Sequence, residues 1–176
     1  DIRAETALDG NGNAKIGLTD TDLIATAFYA YSTTLLAEAA AVIGRSREAV
    51  EYKQLAANIR STFQREFVTA SGRLASNTQT AYVLALAFDL LPEEQRSEAA
   101  RRLVADIRRR GTQLTTGFVG ASYLCPVLVR FGYLDVAYDL LMRQEYPSWL
   151  YPVTQGATTI WERWDSMLPN GEVNPG

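Results

Sequence analysis

The stretch Leu23-Ile-Ala-Thr-Ala-Phe-Tyr-Ala-Tyr-Ser-Thr-Thr-Leu-Leu-Ala-Glu-Ala-Ala-Ala-Val-Ile43 holds one charge, Glu38, in 21 residues. A helix apolar nearly all round has no face to give to water, so it is expected to be buried. Its longest uncharged run, Leu23 to Ala37, has 15 residues and includes Thr26, Ser32, Thr33 and Thr34. That falls short of the ~20 apolar residues a membrane span needs, so a membrane role is not expected. Thr19 is the expected N-cap, with Asp20 and Asp22 at the positive end of the helix, and Gly44 stops it.

Outward from this helix, the chain alternates between two kinds of helical segment. Ser46 opens a second helix to about Phe67, with Tyr52, Leu55, Ile59, Phe63 and Phe67 on one stripe and Glu51, Lys53, Arg60 and Glu66 behind. A third starts at Asn77 or Thr78 and runs to about Leu91, where Thr80–Leu91 carries only Asp89. Pro92 with Glu93 and Glu94 opens a fourth to about Arg110, striped by Leu103, Val104 and Ile107. After a loop at 111–120, helices are expected at Ala121–Arg130 and Tyr133–Gln144, with Pro126 bending the first or falling in its opening turn. Ala121–Val129 has no charge, whereas Leu134–Met142 keeps Asp135 and Asp139 on its outer side. Tyr146–Thr158 reads as irregular and Thr159–Asp165 as a last helical turn or two.

All-round apolar helices alternating with striped ones mean an inner layer and an outer layer. The expected fold is all-α: a toroid of helical hairpins, or an arc of one. Uneven spacing of the inner starts, near residues 21, 79, 121 and 158, argues against a fixed-period solenoid. In such a ring the inner N-termini share one rim. A polar site would then be built from Ser76-Asn-Thr-Gln79, Thr115-Thr-Gly-Phe118 and the stretch from Gln155 to Asp165.

Composition narrows the chemistry. With 17 basic and 20 acidic residues, the net charge of −3 provides no footprint for nucleic acid. Arg108-Arg-Arg110 is read as a helix C-terminus complementing the macrodipole. The chain has no histidine and one cysteine, Cys125, which rules out imidazole-based nucleophiles, His-ligated zinc and an internal disulfide. Cys125 itself reads as a small buried hydrophobe. The loop over 1–18 spaces Asp9, Asn11 and Asn13 like calcium ligands, but Ala14 and Asp20 stand where that motif needs Gly and Glu. A plain turn is the better reading; no cofactor or metal is expected, and calcium is not indicated. The stretch has no targeting segment, and compartment stays open with a cytoplasmic one favoured. Both ends read as mid-chain sequence, which points to a fragment.

Chemistry therefore falls to carboxylates, hydroxyls, amides, arginines and aromatics. Tyr146-Pro-Ser-Trp-Leu-Tyr-Pro-Val-Thr-Gln-Gly-Ala-Thr-Thr-Ile-Trp-Glu-Arg-Trp-Asp165 contains all three tryptophans. Sugar sites combine aromatic platforms with carboxylates and amides. Glu162 and Asp165, three apart, would share one face of a helical turn. A carboxylate beside a Trp in a partly dry pocket can act as a general base. Spacing alone equally allows Trp161 and Trp164 as core aromatics and Glu162–Arg163 as a solvated charge pair.

Four pieces, in order, resemble the catalytic domain of bacterial α-L-rhamnosidases, glycoside hydrolases with an (α/α)6 barrel. They are Leu23-Ile-Ala-Thr-Ala-Phe-Tyr-Ala-Tyr31, Thr78-Gln-Thr-Ala-Tyr82, Leu114-Thr-Thr-Gly-Phe-Val-Gly120 and Gly156-Ala-Thr-Thr-Ile-Trp-Glu-Arg-Trp-Asp165. The last, with Tyr146-Pro-Ser-Trp149 before it, is the most specific. The resemblance implies inverting hydrolysis of terminal α-L-rhamnose, in which one carboxylic acid protonates the leaving oxygen and an opposite carboxylate activates water. It implies Glu162 as that base. The family's general acid lies in an upstream stretch rich in Asp, Glu and Arg; Asp1-Ile-Arg-Ala-Glu5 is not a convincing copy. Residues 19–176 would then be about seven of twelve barrel helices, with the acid outside them and the segment alone nearly inactive.

Supporting roles follow from the same resemblance. Trp149 and Trp161 would form an apolar wall for the deoxysugar's methyl group. Gln79, Thr116 and Phe118 would reach the same rim, Arg163 would orient Glu162 or a hydroxyl, and Asp165 would bind substrate. The expected partner is a carbohydrate, and self-association is expected through half-barrel faces left exposed. Other readings are another (α/α)6 glycosidase, trehalase-like or glucosidase-like, and a helical scaffold that binds protein or carbohydrate without chemistry.

Overall fold

The structure, a computed structural model, describes residues 19–168 and 170–174, and the backbone of 6–8 and 14–16. Two three-residue strands, β1 (Thr6–Leu8) and β2 (Ala14–Ile16), pair antiparallel with Ala7 opposite Lys15. A short hairpin thus occupies part of what the sequence reads as loop. The calcium-like trio Asp9, Asn11 and Asn13 lies outside the described residues, as do Asp1 to Glu5.

Everything else is helical or irregular. The helices are α1 (Thr21–Val42), α2 (Ser46–Phe67), α3 (Gln79–Ala87), α4 (Glu93–Arg109), α5 (Phe118–Arg130), α6 (Leu134–Met142) and the single turn α7 (Tyr151–Thr154). They form three antiparallel hairpins, α1–α2, α3–α4 and α5–α6, and α3 packs against both α1 and α5. The inner layer is α1, α3 and α5; the outer layer is α2, α4 and α6. The alternation of apolar and striped segments predicted this two-layer arc.

Burial follows position in the arc. In α3, flanked on both sides, every residue from Gln79 to Leu86 is buried. α1 differs from expectation: one stripe, Leu23, Ala27, Ala30, Thr33, Ala37 and Ala40, is buried. On its other faces Tyr29, Leu35 and Leu36 are exposed, because no other described element covers them. α2 buries Ala56, Ile59 and Phe63, while Leu55 lies outside that stripe. A knot of rings, with Tyr31 stacked on Phe88 at 4.2 Å and Tyr123 edge-on to Phe88 at 5.0 Å, ties α1, the end of α3 and α5 together.

Helix ends account for the boundaries that shifted. Asp20, not Thr19, caps α1, its carboxylate accepting from the amides of Asp22 (2.8 Å) and Leu23 (3.2 Å). Thr19 instead shares a 2.7 Å hydrogen bond with the Thr78 hydroxyl. α1 ends with Gly44 left-handed and Arg45 N–H returning to the Ala40 carbonyl. α3 ends in the same way without a glycine. Asp89 takes φ 53° and Leu90 N–H bonds the Ala85 carbonyl, so the helix stops at Ala87, short of Leu91. Asp is among the few residues with a side chain that tolerate this region. Pro126 sits inside α5, which begins at Phe118, three residues before the expected start.

The inner N-termini do lie together. Thr19–Thr78 and Asp20 N–H to Ser76 Oγ (2.9 Å) join the starts of α1 and α3. Gln79 Oε1, accepting from Thr115 N–H at 2.8 Å, joins the start of α3 to the approach to α5.

Candidate active site

A cavity of about 380 Å³ opens at the N-terminus of α5. Phe118, the first residue of that helix, lies on one side, and Trp149, Ile160, Trp161, Glu162, Arg163 and Trp164 are among the other lining residues. Phe118 reaches this rim as the first residue of α5, after the buried strap Leu114–Thr116. The other wall is the irregular segment after α6. Ser148 Oγ accepts from Tyr151 N–H at 3.0 Å and opens the one-turn helix α7, and the Tyr151 hydroxyl donates to the Met167 carbonyl at 3.3 Å.

The three tryptophans take different positions. Trp164 packs on the hydrophobic core and meets Trp149 edge-on at 5.7 Å, and its Nε1 donates to the Thr116 carbonyl at 2.8 Å. Trp161 stands off the core and meets only Tyr151, edge-on at 6.2 Å. Edge-to-face pairs of this kind hold ring planes in a defined orientation, which a stacking platform requires.

No helix forms over 159–165, so Glu162 and Asp165 do not share a helical face. Glu162 and Arg163 lie in a bend and Trp164 and Asp165 in a turn. Arg163 instead donates from Nε and Nη2 to the two oxygens of Asp165, both at 3.0 Å, and Asn174 Nδ2 donates to Asp165 at 2.8 Å. The Asp165 hydrogen bonds, together with its charge, raise the already high pKa of Arg163. Glu162 lines the cavity, is exposed, and makes no hydrogen bond or ion pair among the described residues.

Gln79 and Thr116 lie behind the cavity rather than on its wall. Gln79 is 1% exposed and spends its whole amide inside the protein. Thr116 is fully buried and reaches the cavity only through its carbonyl bond to Trp164. The wall also holds residues that carry no role from sequence, Trp164 and Ile160 among them. Trp164 was visible as part of the tryptophan cluster. Ile160, 98% exposed, gave one signal: a large aliphatic side chain isolated between threonines and a tryptophan.

The bacterial alpha-L-rhamnosidase 6 hairpin glycosidase domain matches residues 8–175 of the chain. An alpha-L-rhamnosidase of Streptomyces avermitilis is 46% identical over 153 residues, which is 87% of this chain and 15% of that protein. The solved Streptomyces avermitilis alpha-L-rhamnosidase complexed with L-rhamnose superposes with a TM-score of 0.86 at 42% identity, over 97% of this chain and 17% of that one. The native α-L-rhamnosidase of Aspergillus terreus superposes with a TM-score of 0.89 at 39% identity, over 99% and 20%. The chain thus spans a fifth or less of the length of each of these relatives.

Proposed function

The chain belongs to the bacterial α-L-rhamnosidase family of six-hairpin glycosidases, and from that membership we propose that it is part of the catalytic barrel of an inverting α-L-rhamnosidase. Residues 19–176 supply one side of the active site, and the carboxylic acid that protonates the leaving oxygen comes from outside them. The observation that carries this reading is an unpaired carboxylate, Glu162, in a cavity walled by three indoles. Its neighbour Arg163 gives its hydrogen bonds to both oxygens of Asp165 and meets Glu162 only through charge, so the Glu162 oxygens stay open to a water.

The roles follow from charge and shape. Glu162 is the general base, drawing a proton from the water that attacks the anomeric carbon. An inverting pair needs its two carboxyl groups ~6.5–9.5 Å apart so that this water fits between them. Among the described residues Glu162 is the one carboxylate on the cavity wall. Trp149, Trp161 and Phe118 give apolar surface for the C6 methyl and the ring faces of a deoxysugar, where a hydroxymethyl group would lose its water without gaining a partner. The segment alone is inactive, since one carboxylate does not complete the mechanism.

The full-length polypeptide carrying this segment should release p-nitrophenol from the α-L-rhamnoside and not from the glucosides. Proton NMR of the first turnovers should show β-L-rhamnose before mutarotation. Initial release of α-L-rhamnose would remove Glu162 from the role of base for inversion, and glucoside cleavage would turn the reading toward another six-hairpin glycosidase.

A further inference from the structure

Gln79, the first residue of α3, is too deeply buried to meet a sugar, yet it is bonded more fully than any helix-start residue requires. Its Nε2 donates to Asp106 Oδ2 and to the Gln113 carbonyl, both at 3.1 Å, and its Oε1 accepts from Thr115 N–H at 2.8 Å. Asp106 is itself held: Arg110 Nε donates to Oδ2 at 2.9 Å and Arg109 to Oδ1. One amide therefore ties the start of α3, the last turns of α4 and the strap Gln113–Thr116 that leads into α5.

The strap has two further bonds on its other side, one to a wall residue of the cavity and one to the segment that carries another. The Thr116 carbonyl accepts from Trp164 Nε1 at 2.8 Å, and Gln113 Nε2 donates to the Tyr146 carbonyl at 2.8 Å. Tyr146 begins the segment that carries Trp149, and Trp149 meets Trp164 edge-on. From Gln79 the path runs through the strap by hydrogen bonds to Trp164 and to Tyr146, and reaches Trp149 by its ring contact with Trp164.

We propose that Gln79 is a positioning residue for the sugar cavity: through the Gln113–Thr116 strap it sets where Trp164 and Trp149 stand. This rests on reading that cavity as the rhamnosyl site. Only an uncharged amide suits the position. Glu would turn two donors into acceptors facing the Asp106 carboxylate and the Gln113 carbonyl. Met would match the length but leave Asp106 Oδ2, Gln113 O and Thr115 N–H without their partner.

The test is a double-mutant cycle in the full-length protein, with p-nitrophenyl α-L-rhamnoside turnover and calorimetric binding of L-rhamnose as readouts. Gln79→Met breaks the first link, and Trp164→Phe removes the indole donor while keeping a ring. Each single change should raise KM and the rhamnose Kd about tenfold, with kcat of the folded fraction much less affected. Because both act on one path, the double variant should be little worse than the worse single one. Effects that multiply, or a Gln79→Met enzyme with normal KM and a lower melting temperature, would reduce Gln79 to a folding contact and overturn the proposal. Should Gln79→Met fail to fold, Gln113→Leu breaks the strap at its exposed side. It too must raise KM, and a wild-type KM there overturns the proposal. A wild-type protein that neither cleaves rhamnosides nor binds rhamnose defeats the reading of the cavity, and this inference with it. An active enzyme with unresponsive KM defeats the inference alone.

Discussion

Arg163 reaches forward two residues to chelate Asp165 through both of its carboxylate oxygens, at 3.0 Å each. A cation sits beside Glu162 in sequence, yet its guanidinium is directed at a different carboxylate. Glu162 makes no hydrogen bond among the described residues and meets Arg163 only through its charge.

Glu162→Gln in the full-length enzyme should abolish most turnover while leaving the fold intact, because the substitution keeps volume and removes only the proton acceptor. General-base catalysis typically contributes about 10²–10⁴-fold, so a loss of that order in kcat is expected with little change in the rhamnose Kd. Steady-state kinetics with circular dichroism as a folding control checks this. Wild-type kcat would end the assignment.

Asp165→Asn removes the partner that engages Arg163. The freed guanidinium is then available to pair with Glu162, and a cation on the base makes it a weaker proton acceptor. Turnover should fall by about tenfold, equivalent to ~1.4 kcal/mol. Unchanged kcat would mean that Arg163 does not turn toward Glu162.

Trp161→Ala should weaken rhamnose binding without lowering stability much, since Trp161 touches Tyr151 but not the core. Losing the apolar ring surface that the sugar would cover should raise the Kd about tenfold. Trp164→Ala should instead lower the melting temperature as well, because that ring is packed on the core.

Gly120→Ala should destabilise the α3–α5 contact. A Cβ there would stand 3.1 Å from Thr80 Oγ1 and 3.2 Å from Thr116 Cγ2, both in buried residues. Overpacking of this kind costs about 1–3 kcal/mol. The Thr80 hydroxyl is buried without a partner, so adding Thr80→Ala should recover part of the loss. Denaturant midpoints of the two variants decide the matter.

Burial pushes the Cys125 thiol up from its usual range. Raised in the folded state, this group lends stability that is complete below the unfolded thiol pKa of about 8.5 and is lost as pH rises through the folded value. At pH 8, iodoacetamide should label Cys125 slowly in the native protein and quickly in denaturant, as followed by peptide mapping. Equal rates would show the thiol to be solvated.

Much of this protein is determined by local sequence. Helix-forming segments, their apolar circumference and the glycines at 44 and 132 suffice to draw three hairpins in two layers, because periodicity and left-handed termini act within a few residues of chain. The concentration of tryptophans around Glu162 is also visible in local sequence, whereas the cavity they line is a product of packing. Other features depend on groups far apart in sequence. Asp89 ends α3 because Arg96 and Arg130, 7 and 41 residues away, converge on it. The segment 159–165 forgoes a helix because Trp164 is drawn to the Thr116 carbonyl and Asp165 to Arg163 and Asn174. Gln79 looks like a rim amide until the fold surrounds it with Asp106, Gln113 and Thr115. A side chain's chemistry is written in its identity, but which partner consumes its hydrogen bonds is decided only when distant segments are packed against one another, and that choice separates the residues that line the cavity from those that hold it in place.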